Sequence, residues 1–236
     1  MAKQKKILLN NFNNLSKKLD FSFFFVREAK TEEEKIKVNN YFNDKLNAEN
    51  VTEILVKLTK DIGANVVGIS KQNYDPVGES SVILISEGLV SNIDPVNNSQ
   101  IYFHLDKSHV CSHSYPEFSS TKDISTYRID FEISTCGNIS PLLTINFLIE
   151  EMQKVGQLDI IDIDFIVRGF TRDNKDSKIY NDVRINNIAQ YIDKKYLNAY
   201  ETKNVNLEAN RIWSIKMMNK NVDAALKQEV SDIYSA

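Results

Sequence analysis

Two periods of apolar spacing run along this chain. Strict alternation marks residues 125–135, with Tyr127, Ile129, Phe131 and Ile133 on one side and Arg128, Asp130 and Glu132 on the other. That is the signature of a strand with one buried face. Residues 158–170 (LDIIDIDFIVRGF) predict a long alternating strand, and residues 20–28 (DFSFFFVRE) a short, aromatic, buried one. The apolar runs at 64–70 and 80–86 predict two more strands. Between them Tyr74-Asp75-Pro76-Val77-Gly78 reads as a turn by its Pro and Gly. Residues 88–100 form a polar stretch with Pro95, and 101–106 and 109–115 are strand-like.

Helical spacing appears where Val51, Ile54, Leu55, Leu58 and Ile62 share one face, predicting a helix over 51–62 with Asn50 as its cap and Gly63 at its end. Thr31 before Glu32-Glu33-Glu34 predicts a helix start, running to about Asn47, with acids in the first turn. Ser140-Pro141 opens a further helix to about Val155. After Gly169 the chain has no Gly or Pro and reads as a mostly helical, polar tail, with Ile185, Ile188, Ile192 and Leu197 as partial apolar stripes. The order of elements predicts an α+β fold with helices over one face of an antiparallel sheet. The other face must then bury against a second copy of the sheet or another subunit.

Composition narrows the function classes. The chain has 236 residues, 26% of them charged, with a formal net charge of −3. A chain this long buries roughly 70–75% of its unfolded surface and needs no staples. The six arginines are scattered and the charge is near balance, which argues against a nucleic-acid or anionic-membrane surface. Two cysteines cannot make a disulfide framework. No apolar run approaches the ~18 residues of a membrane span. The start is basic, but its apolar stretch is only Ile7-Leu8-Leu9, short of the about 7–15 residues of a signal peptide, so a cytoplasmic protein is expected.

The chemistry is concentrated. All three histidines, His104, His109 and His113, fall within ten residues, and Cys111 sits among them. Such a segment can be a plain strand with polar residues facing a cleft or solvent. Alternation also places His109, Cys111 and His113 on one strand face, a conceivable three-ligand zinc set that matches no structural zinc module. A nucleophile pair of Cys111 or Cys136 with His113 is a third possibility, although no helix N-terminus or cationic field marks either thiol as activated.

A fourth reading comes from a resemblance. Lys107-Ser108-His109-Val110-Cys111-Ser112-His113-Ser114-Tyr115-Pro116-Glu117, followed by Thr135-Cys136-Gly137, resembles the S-adenosylmethionine decarboxylase proenzymes of the long bacterial form. The flanks agree: Asn11-Phe12-Asn13-Asn14-Leu15, Thr52-Glu53-Ile54-Leu55, Ile62-Gly63-Ala64-Asn65, Tyr74-Asp75-Pro76, His104-Leu105-Asp106, Gly137-Asn138-Ile139-Ser140-Pro141-Leu142 and Val167-Arg168-Gly169-Phe170-Thr171-Arg172-Asp173. The match covers about residues 7–200 and weakens in the tail.

The resemblance implies an enzyme that makes its own cofactor within a single domain spanning 1–236. Ser108 attacks the carbonyl of Lys107, the amide becomes an ester, and a base removes the α-proton of residue 108. His113 is implied as the histidine of this proton transfer; an imidazole gains and loses protons near neutral pH. Elimination and hydrolysis leave a pyruvoyl group, so the products are 1–107 and 108–236. Ser80 matches a serine also used in processing, with Ser81 as its rival. The pyruvoyl ketone then forms a Schiff base with the amine of S-adenosylmethionine and acts as an electron sink. Cys136 matches the proton donor that follows loss of carbon dioxide. An ordinary thiol, with a pKa of about 8.5, still holds its proton at neutral pH. Without the resemblance Cys136 would read as a small buried hydrophobe.

Glu117 matches a glutamate that holds the ribose hydroxyls, and Tyr115 and Tyr74 match aromatics flanking the adenine. Stacking on a flat base contributes about 1–3 kcal/mol per ring. The resemblance further implies an αββα sandwich with sheet faces packed together, a homo-oligomer of cleaved units, and magnesium as an activator, for which the sequence offers no ligand set. The product would be the aminopropyl donor for spermidine synthesis. Alternatives on the same fold are a pyruvoyl-dependent arginine or ornithine decarboxylase, or a non-catalytic metal-binding homologue.

Overall fold

The computed structural model describes residues 16–86, 108–118, 123–136, 139–168, 171–172, 179–180, 185 and 187–235. Its centre is one antiparallel sheet of eight strands. In chain order these are β1 (Ser16–Glu28), β2 (Asn65–Asn73), β3 (Glu79–Ser86), β4 (His109–Phe118), β5 (Ile124–Cys136), β6 (Ile160–Arg168), β9 (Tyr200–Leu207) and β10 (Ile212–Asn219). The short β7 (Thr171–Arg172) and β8 (Ile179–Tyr180) pair apart from it. Across the sheet the order is β2-β3-β4-β5-β1-β6-β10-β9.

Helices α1 (Glu32–Lys45), α2 (Ala48–Asp61) and α3 (Ile145–Val155) supply apolar side chains to the core beneath one face. The predicted alternation holds: Tyr127, Ile129, Phe131 and Ile133 of β5 are all buried, as are Leu19, Phe21, Phe23 and Phe25 of β1 and Ile161, Ile163 and Phe165 of β6. Phe42 of α1 packs on Phe25 and Tyr127, with ring centroids 4.7 and 5.3 Å apart. Each such side chain removed from water contributes on the order of 1.5–3 kcal/mol.

The helix ends follow local chemistry. Thr31 caps α1 through a capping box with Glu34. Helix α2 begins earlier than expected. Asn47, not Asn50, is the cap, and its side-chain oxygen accepts from the Asn50 N–H at 2.9 Å. Gly63, at φ 78, takes the left-handed conformation that closes the helix. Ser140 makes no side-chain cap bond; a 3-10 turn over Pro141–Thr144 precedes α3.

The tail departs most from expectation. Among its described residues it is not mostly helical: β9 and β10 add two strands to the sheet, and the α-helices there are the short α4 (Lys194–Ala199) and α5 (Lys227–Ser235). Trp213, Ile215 and Met217 alternate into the core, a period of two that the partial helical stripes obscured. The turn between the strands uses Arg211 at φ 56 in place of a glycine, so no Gly marked it. Ile185, Ile188 and Ile192 are buried nonetheless. The readings over 88–100 and 101–106, with His104 and Lys107, lie outside the described residues.

One chain thus supplies one sheet with helices on one face. Among the described residues, nothing covers the opposite face over β3, β4, β5 and most of β1 and β6. Helix α5 covers one end of it, where Val230 and Tyr234 pack with Val26, Ile160 and Leu226. An αββα sandwich requires a second sheet on the remainder. No helix among the described residues is long and apolar enough to cross a membrane.

Candidate active site

Alternation along β4 divides its residues between two worlds. Val110, Ser112 and Ser114 point to the helices and are buried, while His109, Cys111, His113, Tyr115 and Glu117 point to the bare face. From β5, Arg128, Asp130, Glu132, Ser134 and Cys136 share that face, and from β3 so does Ser80.

Ser108 immediately precedes β4 and is 4% exposed. Its carbonyl accepts from the Ile85 N–H at 3.3 Å. Its Oγ lies 3.1 Å from the Cys136 Sγ and accepts from the Cys136 N–H at 3.3 Å. Two residues 28 apart in sequence therefore meet across the end of the β4–β5 pair. A second pair forms farther along. Ser80 of β3 stands directly opposite His113 of β4 in register. Ser81, its rival, points the other way and is fully buried, donating to Glu79 Oε2 at 2.7 Å. On its other side His113 faces Asp130 of β5. Burial holds the Asp130 carboxyl above its ordinary pKa, opposed by a hydrogen bond from Ser22 and by Arg128 and His113.

The two pairs do not meet within one chain. Ser108 and His113 are five residues apart on an extended strand, which places them about 16 Å from each other at ~3.3 Å per residue. Tyr115 and Glu117 lie farther still. They converge on Arg128, whose guanidinium sits 4.5 Å from the Tyr115 ring centre and 3.6 Å from Glu117 Oε1. Tyr115 and Tyr74 are 40% and 45% exposed. Tyr74 belongs to the 74–78 turn, in which Gly78 takes φ 109 and donates to Asn43 at 2.9 Å.

A hollow of about 270 Å³ lies between β1, β4 and β5, lined by Asp20, Cys111, His113, Tyr115, Asp130 and Glu132. That is just below the roughly 300–1,000 Å³ of sites that engulf a small molecule. Burial pushes the Asp20 carboxyl up to about 6, against the pull of Lys18. Glu132 goes the other way, held at about 2 chiefly by its hydrogen bond with His109, with help from Lys18. Burial, with Glu132 adding, pushes the Cys111 thiol up to about 11, which speaks against Cys111 as a nucleophile.

Glu79, Asp130 and Glu132 were not singled out from sequence. Their alternation was visible, but which strand each would oppose was not. Several bare-face carboxylates are engaged by cations: Asp20 and Glu132 by Lys18, Asp130 by Arg128 and Asp162 by Lys216. They assign no oxygen cage for magnesium. The buried Ser108, held by a thiol and a backbone N–H, does suit a residue converted in place into a prosthetic group.

The class of protein follows from sequence comparison as well. Residues 39–157 match the model of the S-adenosylmethionine decarboxylase family. The chain belongs to this family of enzymes, as similarity along nearly its whole length also shows. Among its relatives are proteins named S-adenosylmethionine decarboxylase proenzyme. That of Clostridium botulinum (strain Eklund 17B / Type B) is 41% identical over 98% of this chain and 88% of its own length. That of Clostridium perfringens (strain SM101 / Type A) is 42% identical over 93% and 84%. That of Halorhodospira halophila (strain DSM 244 / SL1) is 40% identical over 94% and 84%. The solved adenosylmethionine decarboxylase from Aquifex aeolicus VF5 superposes at a TM-score of 0.38 with 14% identity, over 71% of this chain and 99% of that one. That superposition is too loose to refine the fold.

Proposed function

We propose that this chain is a precursor that cuts itself between Lys107 and Ser108 and then decarboxylates S-adenosylmethionine, supplying the aminopropyl donor for spermidine synthesis. One observation carries the assignment: in a chain of this family, Ser108 Oγ is buried and 3.1 Å from the Cys136 thiol. The pyruvoyl group, once made from Ser108, supplies a carbonyl that withdraws electrons from the substrate's amine-bearing carbon. The chain's own residues do the rest. In the precursor the Cys136 N–H holds the Ser108 Oγ that attacks Lys107, and the Cys136 thiol beside it would return a proton after carbon dioxide leaves. Exclusion of water around Ser108 strengthens both contacts.

His113 has the chemistry to move the α-proton of residue 108, yet its own strand holds it about 16 Å away. Ser80 and His113 therefore serve the Ser108 of a second copy. A two-fold axis through the bare face sets the same patch against itself, so each end of one patch meets the other end of its partner. Ser108 and Cys136 of one subunit then face Ser80 and His113 of the partner subunit, with Tyr115 and Glu117 of the partner subunit beside them for the adenine and ribose. This accounts for a bare polar sheet face and for a hollow too small for the substrate in one chain.

The test is the mass of the purified protein. Wild type should separate into two fragments, with the second blocked by pyruvoyl, and Ser108→Ala should remain a single 27.1 kDa chain. A wild-type protein that turns over substrate as one intact chain overturns the proposal. Arginine and ornithine, offered in parallel with S-adenosylmethionine, should not be consumed.

A further inference from the structure

The bare face carries another group of reactive side chains, which processing and decarboxylation do not use. His109 and Cys111 project from β4 on the same side, and Glu132 stands directly opposite Cys111 on β5. His109 Nε2 lies 3.1 Å from Glu132 Oε1. One nitrogen, one sulfur and one carboxylate oxygen from the three all lie within 4.8 Å of one another. Lys18 Nζ holds the other Glu132 oxygen at 2.9 Å, which leaves Oε1 turned toward the cluster.

We propose that His109, Cys111 and Glu132 form a three-ligand site for a borderline-soft divalent cation of the zinc class, with the fourth position open. Zinc takes imidazole, thiolate and carboxylate at about 2.0–2.3 Å, which sets donors in a tetrahedron about 3.3–3.8 Å apart. The ladder hydrogen bonds of β4 and β5 already fix the three backbones, so closing from 4.8 Å asks only for side-chain rotation. Sulfur and nitrogen donors select against magnesium, which wants oxygen ligands in a near-ideal octahedron. On binding, the Cys111 thiol gives its proton to solvent and the thiolate sulfur takes the metal. His109 contributes the Nε2 lone pair, with its proton on Nδ1, and the metal replaces the His109–Glu132 hydrogen bond. Lys18 orients the carboxylate from behind.

The structure alters the ligand set suggested by sequence spacing. His113 is not in it, because His113 lies farther along β4 opposite Asp130 and Ser80. Glu132 takes its place, from a strand that spacing could not pair with β4. The site begins one residue after Ser108, so a bound ion would pin β4 to β5 beside the bond that is cut. It does not depend on the proposed self-cleavage.

Cobalt(II) is the probe, titrated into the purified full-length chain and separately into Ser108→Ala, which stays uncut. Each chain should take up one cobalt ion with a thiolate-to-cobalt absorption in the near ultraviolet and tetrahedral bands in the visible. Zinc should displace it, and magnesium in large excess should not. Cys111→Ser should lose the near-ultraviolet band, Glu132→Gln should weaken binding at least about tenfold, and Cys136→Ser should keep the band. A cobalt spectrum without a sulfur band, or a band that survives in Cys111→Ser, overturns the site. Should the Cys111 variant fail to fold, zinc must slow alkylation of Cys111 relative to Cys136 in the wild type, read by peptide mass. Equal rates overturn the proposal too.

Discussion

The two faces of the β4–β5 pair are made by the same residues in alternation and do opposite work. On the helix side Val110, Tyr127, Ile129, Phe131 and Ile133 are closed off from water. On the bare side the intervening positions are His109, Cys111, His113, Asp130 and Glu132, and several of their acid groups are displaced from ordinary pKa values. Each of these groups is thus anchored through its backbone to a packed core, so it inherits core rigidity. The cost falls on the bare face, where partly buried charges lack a dry, fully partnered setting until something covers them.

The largest effect that can break this contrast is on processing. His113→Ala should stop self-cleavage while changing stability by less than about 0.5 kcal/mol, as expected for a surface substitution. Co-expression with Ser108→Ala should restore cleavage of the His113→Ala chain, because a mixed pair rebuilds one complete site. Mass spectra showing no rescue would mean that each chain processes alone. Cys136→Ala should cleave but lose most decarboxylase activity, about 10²-fold or more for a missing general acid. Normal turnover would remove Cys136 from the reaction.

The core side should answer in stability. Phe131→Ala empties a fully buried position and should cost about 3–5 kcal/mol in denaturant unfolding. A loss under about 1 kcal/mol would mean the covered face is not the packed core. The smallest effect concerns Asp20. Its folded pKa is raised to about 6 above the ordinary value of 3.8. Its contribution is therefore fully present below about pH 4 and is lost as pH rises through 6. Asp20→Asn should flatten that decline, by under about 1 kcal/mol after allowance for solvent screening. Unfolding midpoints at pH 4.5 and pH 7 compare the two; an unchanged slope would mean that burial does not raise Asp20 in the folded chain.

Much of the fold was legible. Strands with one apolar side announced themselves at 125–135 and 158–170, because a period of two survives any pairing partner, and 20–28 through its run of aromatics. Thr31 with Glu34 fixed a helix start for the same local reason. The region after Gly169 was not legible. There β10 buries three alternating positions, and its turn lacks the Gly or Pro that would have separated it from β9. For the site, Ser108, His113 and Cys136 stood out through rarity and resemblance, and Ser80 gained weight over Ser81 only when strand parity separated them.

The sequence by itself determined which residues face the core and which face away, since alternation is a property of single strands. It also concentrated the histidines and the serine proposed for cleavage into one segment. Only the tertiary structure decided who meets whom. Strand order and register brought Cys136 to Ser108 and Glu132 to Cys111, and the stiffness of an extended strand kept His113 from Ser108. Hydrogen-bonded register is a long-range choice among strands, made by the packing of the whole sheet, and no local pattern of residues carries it.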